Sequence, residues 1–208
     1  VSAFALACLS GAAMAKTDIV IGKQLEPPHL DPTSAAAAAI DEVVYTNIYE
    51  GLTRFASDGA IIPGLAESWD IADDALSYVF NLRQGVSFHG GQAMTADDVK
   101  FSLDRARGED STNAQKALFA AIDSVNVIDD TTVEITLTQP NGALLFYLAW
   151  GDAVIVDESC TEAEKQTPNG TGPFKFSNWV QGDRVEIVSN PEYWGEIPAL
   201  EKATFKFI

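Results

Sequence analysis

Two cysteines and two histidines are all that these 208 residues hold of the side chains that cross-link a chain or ligate a structural metal. A disulfide framework is thereby excluded. Cys8 sits in an apolar leader, which leaves Cys160 as an odd thiol. It is either buried in a helix suggested by residues 157–165 or paired with a cysteine outside this sequence. His29 and His89 lie far apart, with no second Cys or His beside either, so the spacing of a zinc site is missing and no metal or cofactor is expected. Basic residues are scarce too. Thirteen Lys and Arg against thirty Asp and Glu give a net charge of −17, which repels nucleic acid and anionic lipid. That charge keeps the chain soluble and weakly favours cationic ligands, without locating a pocket. Beyond residue 15 no apolar run is long enough to cross a bilayer. Disorder is excluded by a hydrophobic content of 47%, enough for a substantial core.

What is present begins with VSAFALACLSGAAMA, an uncharged stretch ending in Ala13-Met14-Ala15. Its composition is that of the apolar core and small-residue cleavage site of a secretory signal, so export to the periplasm is expected, with cleavage after Ala15. No Met or basic stretch precedes Val1, and the leader is read as partial. A lipid anchor at Cys8 is the weaker reading, because Ala5-Leu6-Ala7 makes a poor lipobox.

Alternating strand and helix patterns follow, as expected of an α/β chain. Residues 17–25 read as a largely buried strand, broken by Pro27-Pro28 and Asp31-Pro32. Ile40, Val43, Val44, Asn47, Ile48 and Gly51 share one helix face, with Ser34 as a cap, Gly51 as a stop, and Asn47 a buried amide bonded to a neighbouring loop. Tyr78, Phe80 and Leu82 alternate with polar or exposed positions as one buried strand face. After the Gly90-Gly91 turn, Thr95 and Asp98 form a capping box for a helix from about Ala96, with an apolar stripe of Val99, Leu103 and Ala106. Helices are expected over 114–122 and 141–150, and strands over 124–127, 132–138, 174–179, 184–188 and 204–208. The segment 168–173, PNGTGP, is a loop.

Several motifs, in this order and spacing, resemble one family of extracellular solute-binding proteins, family 5, the dipeptide, oligopeptide and nickel group that serves ABC importers. They are Leu30-Asp31-Pro32, Ile48-Tyr49-Glu50-Gly51-Leu52, Leu65-Ala66-Glu67-Ser68-Trp69, the strand–turn–helix unit of 65–103, Gly170-Thr171-Gly172-Pro173-Phe174, and Asn190-Pro191-Glu192-Tyr193-Trp194-Gly195. A departure occurs at His89-Gly90-Gly91, where the family more often has an acid before the final glycine. The resemblance implies a type II periplasmic-binding-protein fold of two lobes that close on a ligand by hinge motion. It implies that residues 16–45 and 170–208 carry the main sheet of the first lobe, that 46–169 form an inserted subdomain, and that the second lobe is absent from these 208 residues. The implied function is capture of a peptide or similar small solute, by a monomer, for a permease in the inner membrane. The stretch after Leu-Asp-Pro, here Thr33 to Ala39, implies a ligand-facing segment; Ser34, Ala36, Ala37 and Ala38 are its candidates. Their small side chains let a peptide backbone approach as an added strand, or they only start a helix. Asn113 and Gln115 resemble another cleft-facing position, and Trp150 is either an aromatic cleft wall or core. Trp69, Trp179 and Trp194 belong to framework motifs.

Two other classes stand against this reading. A secreted peptide hydrolase has one compact His/acid group to draw on, Glu26, His29 and Asp31, with no nucleophile motif and no metal spacing around it. A truncated lobe that folds and binds nothing is the other.

Overall fold

The computed structural model describes residues 17–160 and 165–208, so the leader and Cys8 lie outside the described residues. Two four-stranded sheets and a small hairpin organise the chain. The first sheet has the order β1 (Asp18–Lys23), β10 (Lys202–Phe207), β9 (Arg184–Ser189), β8 (Phe174–Val180), joining the two ends of the chain. β1 runs parallel to β10, and the remaining pairs are antiparallel. The second sheet, wholly antiparallel, has the order β4 (Ala66–Ile71), β5 (Ser77–Leu82), β7 (Thr132–Leu137), β6 (Ile122–Asp129). Between them in sequence, β2 (Thr53–Phe55) and β3 (Ile61–Pro63) pair as a hairpin.

Each sheet has its own core. Tyr78, Phe80 and Leu82 of β5 and Val133, Ile135 and Leu137 of β7 bury the faces that their alternation predicts, beneath α2 (Ala96–Arg107). α2 starts where the sequence places it, because the Thr95 amide donates to the Asp98 carboxylate at 2.9 Å and closes the capping box. Its Val99, Leu103 and Ala106 are buried. The second core joins Ile40, Val43 and Val44 of α1 (Ala38–Val44) to Val185, Ile187, Ala203 and Phe205 of the first sheet. Ile48, Tyr49, Val154 and Val156 also pack there, although by number they fall inside 46–169.

Several expectations are corrected. β1 is an edge strand with Ile19 and Val20 exposed, and not the largely buried strand its composition suggested, because its outer edge has no neighbour among the described residues. α1 ends at Val44 and not at Gly51: Thr46 takes a left-handed φ of 57°, and the carbonyls of Asn47 and Ile48 accept from Phe174 and Gly172. Long-range bonds thus win over the apolar period. Its N-cap is Ala37, with no side-chain bond, and not Ser34. The Asn47 side-chain amide, past the end of α1, donates back to the Val43 carbonyl of that helix instead of bonding a neighbouring loop. The helix expected over 114–122 is only a 3₁₀ turn, Lys116–Phe119, and that over 141–150 only one turn, α3 (Leu144–Tyr147). Tertiary donors capture carbonyls in and after α3: Thr53 takes Leu145 and Tyr45 takes Ala149. Near Cys160 the described backbone is a 3₁₀ turn, Glu158–Cys160.

The Gly170–Phe174 loop seams the two cores together. A Cβ on Gly170 would stand 1.9 Å from the Ile48 carbonyl oxygen, so only glycine lets these backbones approach. His89 joins the same seam through Nε2 and the Gly172 carbonyl, 2.9 Å apart; burial pulls its pKa down to about 4.

Candidate functional site

The Leu-Asp-Pro turn fixes where the alanine run lies. Asp31 is fully buried and accepts from the Thr33 amide and hydroxyl at 2.9 and 2.7 Å, and from Arg105 of α2 at 2.7 Å. Arg105 also donates to the Thr33 hydroxyl. Burial works against the Asp31 charge, but the bonds from Thr33 and Arg105 and the guanidinium charge outweigh it and lower its pKa. The turn is therefore clamped onto α2, and residues 35–37 leave it without helical structure before α1 begins at Ala38. Ala36 and Ala38 are exposed, Ala37 is half-buried against the first-sheet core, and the Ser34 hydroxyl oxygen is buried with no partner among the described residues. A depression of about 470 Å³ joins Thr33 and Ser34 to Arg105, Ser111 and Thr112.

One turn into α1, Asp41 meets the segment that follows α3. Its Oδ1 stands 2.7 Å from where a Gly151 Cβ would be, so the carboxylate packs directly against the Gly151 backbone. Burial, then the charge of Asp152, pushes the Asp41 pKa up to about 6. Asp152 is 7% exposed, its pKa is raised by burial, and the bond that opposes the rise comes from its own amide. No lysine or arginine forms an ion pair with either carboxylate among the described residues. Tyr45, four residues beyond Asp41, is pushed to about 12 by burial and then by the Asp41 charge. Beside this pair runs a row of rings: Phe55 meets Phe146 edge-on at 5.1 Å, and Phe146 lies 6.0 Å from Trp150. The buried Trp150 Nε1 has no acceptor among the described residues.

The remaining candidates divide. Asn113 is spent on structure, donating to the Asp152 carbonyl at 2.8 Å and accepting from the Gln115 amide at 2.8 Å. These bonds brace the Asp152 backbone. Gln115, half-buried, precedes the 3₁₀ turn. Trp150 stands two residues before Asp152 in the chain, and the fold brings Asp41 against the intervening Gly151; Asp41, Tyr45 and Asp152 had no signal in the sequence. A single helix-face acid looks like any solvated residue until the fold sets it against Gly151.

Glu26, His29 and Asp31 do not form a reactive group. Glu26 accepts from the Trp179 indole and the Gly182 amide, His29 Nδ1 accepts from the Asp31 amide, and Asp31 faces Arg105. Among the described residues no three His, Cys, Asp or Glu side chains are placed to hold a metal ion, and no helix is long and apolar enough to cross a membrane.

The geometry has counterparts. The glutathione-binding protein GsiB of Pectobacterium atrosepticum is 36% identical over 197 residues, which cover 92% of this chain and 38% of that protein. NikZ from Campylobacter jejuni, solved in complex with Ni(L-His), superimposes with a TM-score of 0.84 at 30% identity, over 94% of this chain and 40% of that one. DppA from Helicobacter pylori, in complex with the peptide STSA, gives 0.81 at 28% identity, over 92% and 42%. The chain thus spans about two fifths of the length of the relatives it matches, and its fold is that of type II periplasmic binding proteins. These relatives are solute-binding proteins and not enzymes. The profile of the bacterial extracellular solute-binding proteins, family 5, matches residues 60–208, and the chain belongs to that family.

Proposed function

We propose that the protein is the solute-binding component of an ABC importer, capturing a peptide or similar small solute in the periplasm for an inner-membrane permease. It acts as a monomer that encloses the ligand between two lobes. In this reading 16–45 and 170–208 carry the main sheet of the first lobe and 46–169 its inserted subdomain. One observation carries the proposal: a partly exposed, non-helical alanine stretch leads directly to two carboxylates, half-buried Asp41 and buried Asp152, that have no ion-pair partner among the described residues. Ala37 caps α1, and Asp41 lies in its first turn. A peptide backbone lies along Ser34 to Ala38, and its terminal ammonium neutralises Asp41 and Asp152, with Trp150 and Phe146 as an aromatic shelf. Ligand binding then removes the charge repulsion that burial has stored there.

Calorimetry with a peptide pool, paired with small-angle scattering, tests this on the full-length protein. Saturable binding with compaction is expected. N-acetylated peptides and Asp41→Asn should each bind roughly tenfold or more weakly, the scale of one desolvated charge pair. Neither binding nor compaction with any peptide would overturn the proposal.

A further inference from the structure

A separate cavity of about 650 Å³ opens past the C-terminal end of α1, and none of Ser34 to Ala38, Asp41, Trp150 or Asp152 lines it. That volume is within the range of small-molecule sites, roughly 300–1,000 Å³. Four rings face it, from Tyr45, Phe55, Tyr193 and Trp194. Tyr193 and Trp194 are mutually tilted with centroids 5.1 Å apart, and both are anchored on Glu50, at 2.7 and 2.9 Å. Thr171 also donates to the same carboxylate at 3.0 Å, so Oε2 accepts from Thr171 and Trp194 and Oε1 from Tyr193, and Glu50 is committed to the fold. Arg54 is different. It lines the cavity, its charge bears on Glu50 and Tyr193, and its guanidinium makes no hydrogen bond or ion pair among the described residues. Glu196 stands exposed at the rim. Thr46, which also lines the cavity, holds a left-handed φ of 57°, a strained conformation of the kind found at ligand sites.

An uncommitted guanidinium beside a box of rings matches a planar ligand with an anionic end. We infer that this cavity is a second binding site, for a small aromatic carboxylate. The ring packs among Tyr45, Phe55, Tyr193 and Trp194, and the carboxylate takes the Arg54 fork, whose paired donors match its two oxygens. This inference stands independently of the transport ligand.

Calorimetry of the 208-residue chain with benzoate, and with benzylammonium as the cationic control, decides it. Benzoate is expected to bind one to one with a Kd of about 1 mM or tighter, reasonable for so few atoms. Benzylammonium should bind at least tenfold more weakly. Arg54→Gln should weaken benzoate about tenfold or more, while Arg54→Lys keeps part of the affinity through its point charge. Arg54 is exposed, and an unchanged melting temperature would show that the variants fold. No saturable benzoate binding, equal or tighter binding of benzylammonium through Glu196, or an Arg54→Gln variant of unaltered affinity would each overturn the assignment.

Discussion

Glu50 and Asp41 are both carboxylates drawn from water, the first past the end of α1 and the second within it, and they are treated in opposite ways. Glu50 is 7% exposed and receives donors from Thr171, Tyr193 and Trp194, all from the chain's second half. Burial raises its pKa, and those three bonds pull against the rise. Asp41 has burial and a second carboxylate on it, with no opposing bond. A buried acid that is fully hydrogen-bonded fixes a fold; one left beside a like charge costs stability and waits for a cation. The first belongs to the seam between the cores, the second to the proposed ligand wall.

The sharpest break in that contrast comes at the seam. Gly170→Ala should abolish cooperative folding, since its Cβ would overlap the Ile48 carbonyl and neither backbone can withdraw; circular dichroism with urea titration would read the loss. Glu50→Ala comes next. It strands the Thr171, Tyr193 and Trp194 donors and should cost about 3–5 kcal/mol in urea unfolding, each orphaned group contributing about 1–3 kcal/mol less whatever water recovers. Asp41→Asn should act in the other direction and more weakly, stabilising the ligand-free protein by about 1 kcal/mol at pH 7.

The pH dependence carries the same sign. The folded-state pKa of Asp41, about 6, lies above its ordinary value of 3.8, so the ionised group penalises the native state at pH 7. As pH falls through 6 the native state takes up a proton before the unfolded chain does, and stability rises. Asp152 is shifted the same way by burial. Asp31 runs opposite: its lowered pKa adds stability that persists at neutral pH and is lost only in acid, below the ordinary carboxylate range. Asp41→Asn should therefore flatten the gain between pH 7 and 5 while leaving the acid limb in place.

Much of the frame is legible in the sequence. The capping box of Thr95 and Asp98, the period-two faces of β5 and β7, and the turn at 168–173 are local signals, and local signals decide those elements. The helices expected over 40–51 and 141–150 are shorter in the fold because an apolar period says nothing about which carbonyls a distant loop will claim; Gly172, Phe174, Tyr45 and Thr53 claim them here. The site is half legible. Family position leads to Ser34 through Ala38 and to Trp150, whereas Asn113 is a brace for Asp152. Asp41 and Asp152 are far apart in sequence, and only the approach of α1 to Gly151 makes them a pair.

The contrast between the two acids is tested most directly by measuring the urea stability of Asp41→Asn and Glu50→Gln side by side at pH 7 and pH 5. The expected result is a gain at pH 7 for Asp41→Asn that vanishes at pH 5, and a loss for Glu50→Gln at both. If Asp41→Asn is instead destabilised to the same extent as Glu50→Gln at pH 7, Asp41 is a structural acid and the proposed ligand wall is wrong.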